Sequence, residues 1–307
     1  MINDQVKEMF DNEKYLSKKV IIEQMVLLKL GIKNIGILTF PQHLYNGEKI
    51  AEKIALVYDE KVKEYEENFS FRKLSFTKKR MMKKAIKHKK DILSKVYDDI
   101  VYNDQSYKKY IEYAEKLKIM GVEYKVRPSL RELVLFADAD VQDRVKEILK
   151  FRLLNMEEAK ESFNEKTPMK VILYPEELKP EYVQAIGKLY GYPQCCIDAY
   201  MKDRAKGDNP EARGAIQYFE YSKDKKFEEW AYFISEFIPC RPDCKAAQDV
   251  GKKAYQKLIQ FDSDMGNLYK SYINENAKVF EEQSKELKDK IIKMQKQNKN
   301  KKKKDAN

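Results

Sequence analysis

Four cysteines confined to two short stretches place the strongest constraint on how this chain can fold. They are Cys195, Cys196, Cys240 and Cys244, so every cysteine of the 307-residue sequence lies in one fifty-residue window. Each stretch combines proline with cysteine and is followed by a helix-like pattern, which predicts two turns that each open a helix. Free N–H groups at a helix start favour the thiolate form of cysteine, which binds metal ions and attacks electrophiles.

Three interpretations of these cysteines remain open. A four-thiolate site for zinc or an iron–sulfur cluster would use all four sulfurs. One or two disulfides could instead join the stretches, or the thiols could be small buried groups that help to pack a core. The spacing differs from the paired C-x-x-C of a zinc ribbon, and neighbouring cysteines on a helix diverge by about 100°. We expect the metal site, because clustered cysteines in an intracellular chain more often serve metal or redox chemistry.

The two cysteine stretches also form a recognisable pair of motifs. Residues 191–200 follow G-Y-P-x-C-C-x-x-A-[YF], and residues 239–246 follow P-C-x-P-x-C-x-A. This pair resembles the signature of an archaeal family of unknown function over roughly residues 126 to 259, and the resemblance implies no particular activity. The motifs are also similar to the paired-cysteine domains of heterodisulfide reductases. Here, however, no glycine follows Cys196, the later pair is C-x-x-x-C, and the upstream cysteine is missing.

Positive charge is concentrated in two segments. Residues 72–90 contain ten Lys or Arg and no acid, and residues 284–307 contain ten Lys against three acids. Because the net charge of the whole chain is +11, the remainder of the chain is mildly acidic. Local basic clusters favour a polyanion, and we expect RNA as the partner. The alternative is a solvated lysine-rich helix face. The candidate nucleic-acid-binding residues are Lys79, Arg80, Lys83, Lys84 and Lys87.

The hydrophobic pattern predicts a helix-rich α/β fold with a small, partly parallel sheet and packed helices. Residues 1–125 are predicted to be mainly helical and residues 126–275 to form an α/β domain with the cysteines. Residues 276–307 are predicted to form a helix and a disordered lysine-rich tail. The sheet prediction rests on apolar runs at 133–136 and 171–174, each followed by a helical pattern. An apolar stripe with helical spacing from Phe227 to Phe237 predicts a core helix before Cys240.

Ligands favour the carboxyl ends of parallel strands, which makes Asp138 and Asp140 candidates, although both also fit capping or turn positions. His43 and His88 are the only histidines, and neither has metal-ligand spacing to the cysteines. The phosphate-binding motifs G-x-x-x-x-G-K-[ST] and G-x-G-x-x-G are absent from the sequence.

We also see no secretory signal and no apolar run of about 20 residues, so we expect a cytoplasmic protein without a membrane span. The combined expectation is a cytoplasmic protein with a four-cysteine metal site that binds RNA. The alternatives are a small-molecule redox or iron–sulfur enzyme and a non-catalytic scaffold with disulfide-paired cysteines. The sequence indicates no particular reaction.

Overall fold

The chain divides into two compact units. A computed structural model describes the backbone of residues 7–8, 10–11, 14–68, 78–162, 174–224 and 229–304, with side chains omitted at 68, 78–82, 159–162, 223–224 and 287–304. The first unit comprises Met1–Lys29 and Ile35–Gln142, and the second comprises Leu30–Asn34 and Asp143–Asn307. Each unit is described separately below.

The first unit contains a three-stranded sheet with strand order β1-β3-β2. Its strands are β1 (Gly36–Phe40), β2 (Met120–Arg127) and β3 (Leu130–Phe136), and β3 pairs antiparallel with both neighbours. The helix-rich α/β fold is therefore confirmed, but the prediction of a partly parallel sheet is wrong for the described strands. Only two residues join β2 to β3, whereas a parallel connection needs a crossover of a dozen or more. Of the other predicted strand, residues 171–173 lie outside the described residues.

Helices accompany this sheet in the described part of the first unit. The first, α1, runs through Lys18–Val20, Ile21–Val26 and Leu27–Lys29, with the middle segment wound as a π-helix. Helices α2 (Gly47–Asn68) and α3 (Lys78–Val101) pack against each other. Helix α4 (Gln105–Lys116) begins at Asp104, whose side chain accepts from the N–H of Ser106.

Helix α1 lies unusually close to strand β1. The N–H of Ile37 donates to Oε1 of the buried Gln24 at 3.1 Å, so a side chain of α1 satisfies the sheet backbone. Gly36 permits this approach, because a Cβ atom at that position would lie 2.0 Å from the carbonyl oxygen of Gln24. The absence of a side chain at Gly36 is therefore required by packing.

This contact predicts a difference between two sheet glycines. Gly36→Ala should lower the free energy of unfolding by about 2 kcal/mol or more, because the added methyl meets backbone that cannot rotate away. Gly121→Ala is the matched control, since its Cβ would meet only side-chain atoms of Leu133 and Leu135. Urea unfolding measures both variants. An equal loss of unfolding free energy in the two variants would contradict the prediction. It would show that the close approach of α1 to β1 does not make Gly36 less tolerant of a methyl group than Gly121.

The second unit is helical throughout its described elements. Its α-helices are α5 (Ala139–Ser162, mostly in this unit), α6 (Pro180–Tyr190), α7 (Gln194–Lys206), α8 (Pro210–Asp224), α9 (Lys245–Phe261) and α10 (Ser263–Lys304). Two 3-10 helices, Pro175–Leu178 and Glu229–Tyr232, lie between them. Tyr182, Val183 and Ile197 form a buried cluster that packs α6 against α7. Helices α8 and α9 both pack against α10.

The segment before Cys240 differs from the predicted core helix. Phe227 lies outside the described residues, and only Glu229–Tyr232 is helical, as a single 3-10 turn. The apolar residues that follow are nevertheless buried, as expected for core. Side chains of α10 bind the carbonyls of this irregular segment: Tyr269 donates to Phe233 O at 2.8 Å and Asn276 donates to Tyr232 O at 3.1 Å. These bonds replace the helical hydrogen bonds that the pattern predicts.

The C-terminal helix is longer than the sequence indicates. Helix α10 begins at Ser263 and its backbone is helical through Lys304, including most of the segment that we expected to be disordered. The lysine-rich sequence is compatible with this outcome, because lysine is a good helix former. None of the helices in the described ranges is both long enough and apolar enough to cross a membrane.

Candidate metal centre

The first cysteine pair lies at the start of α7. Helix α6 ends at Gly191, which has the left-handed φ of +80° that glycine adopts without strain. A proline in this position favours the first helical residue, but Pro193 is the N-cap of α7, so the helix begins one residue later, at Gln194. Cys195 and Cys196 therefore lie in the first turn, as predicted. Cys196 is buried, whereas Cys195 is exposed.

The second pair lies in the turn that opens α9. Cys240 is half-buried in the irregular segment, and the N–H of Cys244 donates to Arg241 O at 3.1 Å to close the turn. Cys244 is buried and is the N-cap of α9. The N–H of Ala247 donates to its sulfur and favours the thiolate. The local placement of both pairs thus follows the sequence prediction closely.

The two turns bring all four sulfur atoms together. The ligand atoms of Cys195, Cys196, Cys240 and Cys244 all lie within 4.8 Å of one another. The sulfur of Cys244 lies 3.7 Å from those of Cys195 and Cys196, which are 3.9 Å apart. The prediction that the two stretches lie side by side, at shared-ligand distance, is confirmed. The sulfurs of the neighbouring pair approach to 3.9 Å, although adjacent positions on a helix differ in direction by about 100°.

These distances suit one tetrahedral ion. Zinc with Zn–S bonds of about 2.3 Å places its four sulfurs about 3.8 Å apart. All four cysteines are free thiols, and the three distances given above are far longer than the roughly 2.05 Å of a disulfide bond. The backbone N–H of Cys240 also donates to the sulfur of Cys196 at 3.4 Å, the kind of hydrogen bond that supports a metal-bound thiolate.

The sulfurs differ in their affinity for protons. The pKa of Cys240 is lowered to about 5, first because the Cys196 thiol donates a hydrogen bond to it. The other thiols and the charge of Arg241 act in the same direction, against burial. The same hydrogen bond, with burial, raises the pKa of Cys196, and burial raises the pKa of Cys244 to about 11. Cys240 is therefore the favoured thiolate, and a cation held by the whole cluster would displace protons from the others.

The remaining candidate residues have structural roles or are only partly described. His43 Nδ1 accepts from the N–H of Thr39 at 2.9 Å, and the ring of His88 packs on Tyr65. Asp138 and Asp140 are exposed, and Asp138 accepts from the N–H of Asp140 at the start of α5. The argument for these aspartates as ligands is removed, because the strand that precedes them belongs to an antiparallel sheet.

The basic run forms helix α3 from Lys78 onward. Lys83, Lys84 and Lys87 are exposed on it, whereas the side chains of Lys79 and Arg80 lie outside the described ones. Sequence reasoning missed that helix α2 brings acidic side chains to α3, where Glu66 forms an ion pair with Lys89. The signal was present, because four glutamates occur between residues 60 and 67. Nucleic-acid binding by this helix stays a prediction.

The fold and the cluster define a helix-rich α/β protein with four cysteines that could hold a metal ion. Residues 111–273, more than half of the chain and including every cysteine, match the model of a protein family of unknown function (DUF483), so the chain belongs to this family. No curated protein and no solved structure matches the chain. The expected family of unknown function is thus confirmed, and its archaeal origin and cysteine signature stay predictions.

The cluster geometry predicts the number of free thiols. Titration of protein unfolded under anaerobic conditions, without reductant and with a chelator present, should find four thiols per chain, because all four cysteines are free. A sample reduced beforehand is the control and should give the same count. A lower count before reduction than after it would support the disulfide interpretation instead.

Proposed function

We propose that this protein is a metal-binding protein in which Cys195, Cys196, Cys240 and Cys244 bind one zinc ion as thiolates. The observation that carries the proposal is the convergence of their ligand atoms within 4.8 Å. The sulfurs of Cys195, Cys196 and Cys244 lie 3.7–3.9 Å apart, which suits three corners of a single tetrahedral site. An iron–sulfur cluster would interpose several iron and sulfide ions between the thiolates and would need a wider arrangement.

The role that this geometry supports is structural. Catalytic zinc sites keep one coordination position open for water or substrate, whereas four protein sulfurs close a tetrahedral site. The bound ion would cross-link the first turn of α7 to the turn that opens α9, two elements separated by more than forty residues of sequence. Free thiols belong in a reducing compartment, which supports a cytoplasmic location in this proposal.

Removal of one ligand should unfold the surroundings of the site. Cys240→Ser and Cys244→Ser should each lose bound zinc and lower the melting temperature, because a structural zinc ion can contribute about 10 kcal/mol or more. A chelator provides the internal control: it should destabilise the unaltered protein and leave the two variants nearly unchanged. Metal analysis, the visible spectrum and thermal unfolding of anaerobically purified protein give the readouts.

Each alternative has its own result in that experiment. Visible absorbance together with iron and sulfide in the metal analysis would indicate an iron–sulfur cluster instead of zinc. That result would favour the small-molecule redox enzyme. Absence of metal together with absence of free thiols would favour the disulfide scaffold. Variants that keep their melting temperature but lose an activity would contradict the structural role.

A second function, RNA binding, is favoured by one observation on α3. Lys83, Lys84 and Lys87 are exposed, and the first turn of the helix contains no acid. Their spacing of one and four residues places 83 and 87 on the same helix face with 84 beside them, so they could contact neighbouring phosphates. In this proposal Lys79 and Arg80 extend the same basic helix toward its start.

Charge reversal tests this surface directly. The triple variant Lys83→Glu, Lys84→Glu, Lys87→Glu should bind tRNA more weakly. The slope of log affinity against log salt concentration should become shallower by about 0.9 for each phosphate contact that is lost. The matched control reverses Lys61 and Lys63, which are also exposed but lie on α2 among acidic residues. Stability should change little in either variant. No tRNA binding by the unaltered protein at low salt would remove this function.

A further inference from the structure

Arg213 connects the two cysteine turns without touching a sulfur. It lies on α8, between α7 and the Cys240 segment in sequence. Its Nε donates to Oδ2 of Asp203 on α7 at 2.6 Å. Its Nη1 donates to the carbonyls of Pro239 and Cys240 at 3.0 and 3.1 Å. One side chain therefore bonds both the helix that carries the first cysteine pair and the loop that carries the second.

Asp203 is suited to this connection by its place on α7. It lies seven residues after Cys196, nearly two helical turns, so both residues face the same side of the helix. Both are buried. The Arg213–Asp203 pair is also largely shielded, with side chains 18% and 11% exposed. Shielding from water strengthens a charge-assisted hydrogen bond and makes the loss of either partner costly.

The contacts hold Cys240 at both of its peptide groups. Its N–H donates to the sulfur of Cys196 at 3.4 Å, and its carbonyl accepts from Arg213. Because peptide groups are planar, fixing both of them fixes the direction of the Cys240 Cα–Cβ bond between them. The surrounding residues 233–243 have no regular helix or strand, so this orientation is not set by secondary structure.

We propose that Arg213 and Asp203 are the positioning pair of the metal centre, which aim the Cys240 sulfur at the shared ion. The inference rests on the proposed metal site and assigns residues that do not contact the metal. A guanidinium suits this role, because Nε binds the carboxylate while Nη1 binds the two carbonyls and Gln217 Oε1 at 2.9 Å. A lysine ammonium is a single point charge and has no such rigid arrangement of donors.

The test measures zinc affinity by competition with a chromophoric chelator, and ligand geometry from the visible spectrum of the cobalt-loaded protein. Arg213→Met should weaken zinc binding about 10- to 100-fold, the usual effect of losing a group that orients a metal ligand. Arg213→Lys and Asp203→Asn should give smaller losses, and all three should alter the cobalt–thiolate absorption. If Arg213→Met does not fold, the two milder variants carry the test.

The control is another arginine of this unit, the buried Arg204. Arg204 on α7 pairs with Glu177 at 2.9 Å and donates to Tyr174 O, with no bond to either cysteine turn among the described contacts. Arg204→Lys should lower stability and leave zinc affinity and the cobalt spectrum unchanged. Affinity lost equally in the two lysine variants would mean that Arg213 acts on general stability, which would overturn the positioning role.

A Cys240→Ser background separates positioning from general support. There the remaining three thiols bind zinc more weakly, and Arg213→Lys should cause little further loss, because the sulfur that it positions is gone. An equal loss in both backgrounds overturns the inference. So does an unaltered affinity and spectrum in Arg213→Met, although the metal site itself then stands. Failure of the unaltered protein to bind zinc or cobalt would instead overturn the proposed metal site together with this inference.

Discussion

The convergence of four cysteine sulfurs is the strongest chemical constraint in the second unit. Two thiols come from the first turn of α7 and two from the turn that opens α9, with all ligand atoms within 4.8 Å. Several thiolates at such distances repel one another, which helps to raise the pKa of Cys196 and Cys244 beside the Cys240 thiolate. A divalent cation would replace this repulsion by four metal–sulfur bonds. Binding of an ion would therefore stabilise the cluster.

The geometry of that site depends on hydrogen bonds that are distant in sequence. The segment from Phe233 to Asp243 lacks regular structure, so its buried carbonyls need partners from elsewhere. Tyr269 of α10 binds the Phe233 carbonyl at its start, Asn276 of α10 binds the preceding Tyr232 carbonyl, and Arg213 of α8 binds the carbonyls of Pro239 and Cys240. Side chains from distant helices therefore supplement the few backbone hydrogen bonds that this segment makes itself.

The basic character of α3 is more restricted than its sequence indicates. A run of lysines predicts a strong positive field, but α2 packs against α3 and contributes acidic side chains, including the Glu66 partner of Lys89. Opposite charges on adjacent helices reduce the field that a polyanion would meet. Among the described side chains of this run, Lys83, Lys84, Lys87 and Lys90 are exposed, whereas Lys89 is paired with Glu66.

Local features of this protein were determined by its sequence. The cysteine turns, the capping glycine at 191, the helix starts and the buried run at 133–136 follow from proline, glycine and hydrophobic spacing, which act within a few residues. The tertiary structure alone decided the antiparallel pairing of β3, the irregular course of residues 233–243 and the recruitment of Arg213 to the Cys240 loop. Each of these depends on partners far apart in the chain, and no local pattern of residue types encodes which distant carbonyl or strand edge will be bound.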